Sequence, residues 1–244
     1  MRIDKYIVEK GLAVSRAKAQ EMLKSGAVSV DGVPILKSSF EVEEGSTVAV
    51  EENPLQRYVG RGGLKLEAAL DAFSLSPQDK VALDVGASSG GFTDCLLKRG
   101  AAYVYAVDAG SGQLHRSLLA DSRVCSIENC NARYLSSNMF SHTPSFVVID
   151  VSFISQTLIL PAIKDVMLEG GVLVSLVKPQ FELGRSALGK GGIVKSEKLA
   201  RQALSKVESF AATLGFTVLG DMPSPIRGGD GNLEFLAAFS LPLK

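Results

Sequence analysis

Apolar and polar positions change period several times along the chain. Ile3, Tyr6, Ile7 and Lys10 follow helical spacing, which predicts a short helix over 3–10. A second helix starts at Ser15, whose hydroxyl can accept a bond from a free backbone N–H. Ala17, Ala19, Met22 and Leu23 supply its small and apolar positions, and Gly26 can end it. The period then drops to two: Val28, Val30 and Val33 flank Asp31-Gly32, a hairpin signal. Val42 and then 45–50 add a short strand. The polar, proline-containing stretch 51–56 reads as a linker. Arg57–Gly60 and Arg61-Gly62-Gly63 read as a flexible basic hinge before a helix that starts near Leu64 and buries Leu66, Ala69, Leu70 and Phe73.

Beyond residue 80, apolar runs alternate with amphipathic segments. The runs are 81–85, 103–107, 124–127, 146–149 and 172–177, and helices are predicted near 92–99, 113–120, 155–168 and 196–214. Strands separated by helices imply a parallel sheet with right-handed crossovers. Two more strands, near 216–221 and 233–239, have only a loop between them and can pair antiparallel. The fold class is therefore α/β, a Rossmann-like, mostly parallel sheet with an antiparallel last strand, preceded by a small α+β domain. The expected division is 1–56, a linker over 57–60, and 61–244.

The 244 residues suit one or two domains, and 46% apolar with 21% charged residues is ordinary globular composition. No run of about 18 apolar residues suggests a membrane helix. The first residues lack the order of a secretory signal, so a cytoplasmic location is expected. Cys95, Cys125 and Cys130 read as reduced thiols, and no spacing suggests a metal site. The net charge of zero argues against a nucleic-acid partner until it is divided. Residues 1–24 carry +3, 25–60 carry −4 and 61–244 carry +1, with +5 inside 178–206. Two basic surfaces are cancelled by an acidic hairpin and acids elsewhere, so local RNA contact is compatible with the sum.

Candidate chemistry gathers in the second domain. Asp84-Val85-Gly86-Ala87-Ser88-Ser89-Gly90-Gly91-Phe92 leaves a strand, carries three glycines and enters a helix, a ligand-cradling pattern. It departs from GxGxxG, which weakens a nicotinamide dinucleotide and favours S-adenosylmethionine (SAM). Asp108, at the end of the second run, can accept both ribose hydroxyls. Lys65, Asp150, Lys178 and Glu234 sit at element ends that a doubly wound sheet brings to one edge. They form either a catalytic set, with a lysine able to take a proton, or a pair of structural salt bridges. Arg185 and Lys190, in a glycine-rich basic stretch, are candidate RNA contacts, as is Arg61.

The N-terminal pattern, with Arg2 to Tyr6, Ser15 to Gln20 and Gly26 to Gly32, resembles the alpha-L RNA-binding motif of a small-subunit ribosomal protein and of pseudouridine synthases. Asp31 stands where asparagine is common. The resemblance implies RNA backbone contacts by Arg16 and Lys18, with Arg2 in the same motif. The Lys-Asp-Lys-Glu order resembles FtsJ-like ribose 2'-O-methyltransferases. Over nearly its whole length the chain is similar to the TlyA family, through the segments 61–66, 84–95, 150–155, 178–182 and 189–192. That likeness implies SAM as methyl donor, held by Asp84, Gly86, Ala87, Ser88, Gly90, Gly91, Phe92 and Asp108 with Phe153 beside it. It implies a cytidine ribose of ribosomal RNA as acceptor and the 57–60 segment as an influence on SAM binding. The short tail after Glu234 matches the type associated with the large subunit alone. The rival readings are an RNA-binding protein with an inactive enzyme domain, a cytolysin, and a NAD-dependent oxidoreductase.

Overall fold

The computed structural model describes residues 1–13, 15–24, 26–50 and 57–243. The expected linker over 51–56 lies outside them. The chain forms two compact units, Met1–Arg57 and Tyr58–Lys244.

In the first unit, α1 (Ile3–Glu9) and α2 (Arg16–Lys24) pack on a sheet of β1 (Val28–Val30), β2 (Val33–Pro34) and β3 (Val48–Val50), in the order β2-β1-β3. Ser15 Oγ accepts the Lys18 N–H at 3.2 Å, so the expected cap forms. Val30 faces Val33 across Asp31-Gly32, and both turn residues have positive φ (50° and 80°), the type I′ geometry that matches strand twist. Ile3, Ile7, Ala19, Leu23 and Val28 make its core.

The second unit opens with α3 (Gly62–Ala72). It continues β4 (Val81–Val85), α4 (Gly91–Lys98), β5 (Tyr103–Val107), α5 (Arg116–Leu119), β6 (Val124–Ile127), β7 (Phe146–Ile149), α6 (Leu160–Val166), β8 (Val172–Val177), α7 (Pro179–Glu182), α8 (Glu197–Thr213), β9 (Thr217–Pro223) and β10 (Phe235–Ser240). The seven strands lie in the order β6-β5-β4-β7-β8-β10-β9. β4 to β8 are parallel; β10 is antiparallel to both β8 and β9. Strand residues alternate between two cores. Leu83, Val147 and Leu173 meet α6 and α8, while Ala82, Val148 and Val174 meet α3 and α4. Burial on both faces explains why β4 and β8 read as near-continuous apolar runs, broken only by the buried Asp84 and Ser175.

Two segments differ from their sequence reading. Tyr58–Gly60, expected as linker, is packed into the second unit. The buried Tyr58 donates its hydroxyl to Glu67 Oε1 at 3.0 Å, and Val59 N–H donates to Asp94 Oδ2 at 2.9 Å. Gly62 and Gly63, expected in a hinge, begin α3. A Cβ at Gly63 would stand 2.3 Å from the Tyr58 ring, so glycine serves close packing rather than flexibility.

Candidate active site

The chain enters the sheet at β4, winds to β5 and β6 on one side, then returns to β7 on the other. Strand order therefore reverses between β4 and β7, and a crevice opens beyond their carboxyl ends, where α/β sheets hold ligands. Gly86 follows β4 there with φ +87°, and a Cβ on it would lie 2.3 Å from the Asp150 carbonyl oxygen. The cofactor loop and the end of β7 thus touch backbone to backbone, which only glycine permits. Gly90, φ +94°, then turns the chain into α4.

Asp108, beyond β5, accepts the Ser88 N–H on Oδ2 at 2.8 Å and the Gly110 N–H on Oδ1 at 2.7 Å. Its carboxylate is fixed in orientation and keeps acceptor capacity for a ligand hydroxyl. It borders a cavity of about 430 Å³, to which Val107, Cys130, Ile154 and Ile159 give an apolar interior. Phe153 stands at the rim, 90% exposed and with φ +64°, its ring centroid 4.9 Å from that of Phe181. A bulky residue held in the left-handed region and in water is not held there for stability. Asp84 is placed otherwise than the sequence suggests. It is wholly buried behind the loop, and its Oδ2 accepts the Thr93 hydroxyl at 2.7 Å. Burial is the main cause that raises its pKa to about 7, with Asp150 and Asp108 adding to it against the Thr93 bond. It supports the first turn of α4 rather than facing the cavity. Phe92 and Gly91 are also buried in that turn, and Gly86, Ala87, Ser88 and Gly91 border a smaller adjoining recess.

Lys178 and Asp150 line this recess, and Asp150 borders the larger cavity as well. Lys178 Nζ lies 2.6 Å from Asp150 Oδ1 and donates to Ser152 Oγ at 3.0 Å. Lys65 Nζ and Glu234 Oε2 meet at 2.5 Å, almost sealed from solvent. The four expected residues therefore stand as two ion pairs. The pairs are neighbours. Phe235 faces Val177 across the antiparallel β10–β8 ladder, which brings Glu234 level with Lys178. On α3, Gly62 lies one turn before Lys65, and a Cβ on Gly62 would be 3.7 Å from Asp150 Oδ2.

Several supporting residues, some inside the segments singled out in the sequence, were given no role by it. Ser152 steadies Lys178. The buried Glu182 carboxylate accepts from Ser155 Oγ at 2.5 Å and Gln156 N at 2.7 Å. Gln156 in turn bridges Leu176 O and Ser175 Oγ, which locks the segment after β7 onto β8. Asn232 accepts from Val194 N and donates to Gly192 O, tying the glycine-rich 189–194 segment to the approach to β10. Asn232 lies two residues from Glu234, a local cue; the partners of Glu182 carry no such cue. Of the expected RNA contacts, Arg61, Arg185 and Lys190 are exposed on the second unit. In the first unit Arg16 is exposed, Arg2 and Lys18 are half-buried, and Arg2 and Arg16 both pair with Asp4.

A parallel sheet with an antiparallel β10, a glycine loop after its first strand and a ribose-suited acid after the second define the class of SAM-dependent methyltransferases. The FtsJ-like methyltransferase family matches residues 58–241 and the S4 domain matches 1–48, so the chain belongs to the FtsJ-like methyltransferases and carries an S4 domain. A relative from Mycobacterium tuberculosis, "16S/23S rRNA (cytidine-2'-O)-methyltransferase TlyA", is 40% identical over 96% of this chain and 87% of its own. Another from Campylobacter jejuni, "23S rRNA (cytidine-2'-O)-methyltransferase TlyA", is 33% identical over 96% of this chain and 97% of its own. A solved structure, "Putative hemolysin from Streptococcus thermophilus", is 44% identical with a TM-score of 0.77, covering 99% of this chain and 88% of that one.

Proposed function

We propose that this protein transfers a methyl group from SAM to the ribose 2'-oxygen of a cytidine in ribosomal RNA, with the large-subunit RNA as substrate. The observation that carries the reading is the Lys178–Asp150 pair in the recess that joins the cofactor cavity, with Lys65–Glu234 level with it. SAM, when bound, supplies a methyl group on a positively charged sulfur. The site fits such a group: Gly86 leaves room for close backbone approach, and the oriented Asp108 carboxylate suits a ribose diol. The large-subunit choice rests on the names of both relatives, since 23S rRNA stands in each and 16S rRNA only in that of the Mycobacterium tuberculosis protein.

Lys178 takes the 2'-hydroxyl proton, or eases its loss to water by stabilising the charge that develops on the oxygen. Asp150 and Ser152 fix the direction of Lys178 Nζ, and Glu234 fixes Lys65 beside the acceptor ribose. The oxygen forms its bond to the methyl carbon as the carbon–sulfur bond breaks, and alignment supplies much of the rate. Phe153, on its left-handed backbone at the rim, stands beside the cofactor. The S4 unit contributes RNA backbone contacts through Arg2, Arg16 and Lys18, while Arg61, Arg185 and Lys190 add charge near the catalytic edge. Residues 57–60, of which Tyr58 and Val59 are bonded into the second unit, act on cofactor affinity in this reading.

The test is a map of 2'-O-methyl positions in both ribosomal RNAs, from cells with and without the protein, and with Lys178→Ala. The reading requires a cytidine mark in 23S rRNA that vanishes in both mutant backgrounds. An unchanged mark with Lys178→Ala removes the assigned role. Among the described residues no helix is long and apolar enough to cross a membrane.

A further inference from the structure

A negative charge is out of place on a surface that binds phosphates, yet Asp4 sits in the middle of the first unit's basic patch. It lies in the first turn of α1 with its side chain wholly buried. Arg2 donates to its two oxygens from Nε and Nη2, each at 3.2 Å, Arg16 Nε donates at 2.8 Å and Gln20 Nε2 at 3.3 Å. Burial alone pushes the carboxyl pKa up, but the bonds from Arg16, Gln20 and Arg2 outweigh it and hold it at about 2. Asp4 is therefore a permanent anion at working pH.

Its effect on the arginines is geometric. Arg2 and Arg16 come from different elements, carry like charge and keep 39% and 50% of their side chains exposed. Without a shared anion they would repel and sample many rotamers. Asp4 brings both guanidinium groups onto one carboxylate. The bond from Arg16 uses Nε, which leaves the Nη edge of its planar fork for a further acceptor. The rotamer entropy of two long side chains is then spent in folding and not in binding. We propose that Asp4 is a positioning residue that sets Arg2 and Arg16 as a preformed phosphate-binding pair for RNA. This rests on the reading of the first unit as an RNA-binding module.

The proposal predicts an effect opposite in sign to plain electrostatics. Asp4→Asn removes a negative charge from the patch, so charge counting expects tighter RNA binding. Loss of the preset pair instead weakens it. The experiment uses the full chain and protein-free 23S rRNA, with affinity measured across a salt series and steady-state methylation measured in parallel. Variants are Asp4→Asn, Arg16→Lys, Arg2→Ala/Arg16→Ala, and that pair combined with Asp4→Asn.

Expected are a roughly tenfold loss of affinity for Asp4→Asn, a salt slope flatter by about one to two, and a raised KM for RNA with kcat unchanged. Arg16→Lys, which keeps the charge but loses the Nε bond on an exposed side chain, behaves the same way. Asp4→Asn adds nothing once both arginines are alanine. Equal or tighter binding by Asp4→Asn or wild-type binding by Arg16→Lys overturns the proposal. So does a triple variant weaker than the double, since Asp4 would then hold up the fold of the unit rather than its arginines. Wild-type affinity in Arg2→Ala/Arg16→Ala removes the RNA-binding reading of the unit itself, and the proposal with it.

Discussion

The buried Lys65–Glu234 pair allows structural and catalytic roles to be separated. Its side chains are 10% and 3% exposed, and the two charged atoms meet at 2.5 Å. Removing one partner strands the other charge in a low-dielectric setting, which costs about 3–5 kcal/mol. Lys65→Met or Glu234→Leu alone should therefore lower the melting temperature, by about 2–4 °C for each kcal/mol in a unit of this size. Replacing both partners with apolar side chains of similar volume removes the stranded charge, and such exchanges are often neutral or stabilising. Lys65→Met/Glu234→Leu should thus melt near wild type. If the pair positions the acceptor ribose, methyl transfer nevertheless stays at least about a hundredfold down in the double variant, the scale set by misaligned reactants. Differential scanning fluorimetry and transfer of labelled methyl to 23S rRNA, on the same three variants, give both readouts. A double variant that recovers stability and also turns over within a few-fold of wild type would show that the pair is only a staple between α3 and β10.

Other perturbations probe the crevice. Gly86→Ala puts a Cβ 2.3 Å from the Asp150 carbonyl, so the seam must open by about 1 Å; cofactor affinity by calorimetry and methyl transfer should both collapse, and wild-type values for either would refute the contact. Asp84, with its folded pKa near 7, binds more protons folded than unfolded between about pH 4 and 7. Stability should therefore fall as pH rises through that window, and less so in Asp84→Asn; parallel urea-midpoint profiles of the two proteins would contradict this. Phe153→Gly relieves a backbone held at φ +64° on an exposed residue, so it should leave the urea midpoint equal or higher while transfer to RNA weakens. A lowered midpoint with normal transfer would mean that Phe153 is structural.

Much of the fold is written in local pattern. The five parallel strands begin and end where their apolar runs do, because burial leaves little room for polar side chains inside them, Asp84, Ser126 and Ser175 being the exceptions. The stretch 155–168 has apolar spacing for one helix but forms a 3₁₀ turn at Gln156–Leu158 and then α6 from Leu160. Pro161 explains the break: it has no N–H to give a preceding turn, so it fits only at a helix start. The predicted helix over 113–120 shrinks to Arg116–Leu119, with His115 as cap accepting the Ser117 N–H. The common edge of Asp108, Asp150 and Lys178 is legible from strand ends, since topology alone sends them there. Pairing is not. Lys65 finds Glu234 169 residues away, and no local rule distinguishes that partner from Asp150. Asp84 looked like a loop residue because its position in sequence is right; only burial shows that it faces inward.

The place of β10 has a consequence for how the protein comes into being. β10 lies between β8 and β9 yet is the last strand in chain order, and Glu234 precedes its first residue. During synthesis the S4 unit has its whole sequence early and can fold as its own unit. The sheet stays open beside β8, and Lys65 stays without its carboxylate, until residues 234–240 are made. A ribosome-bound nascent chain would thus acquire its RNA-binding half long before its chemistry, and a truncated product lacking β10 could hold RNA without modifying it.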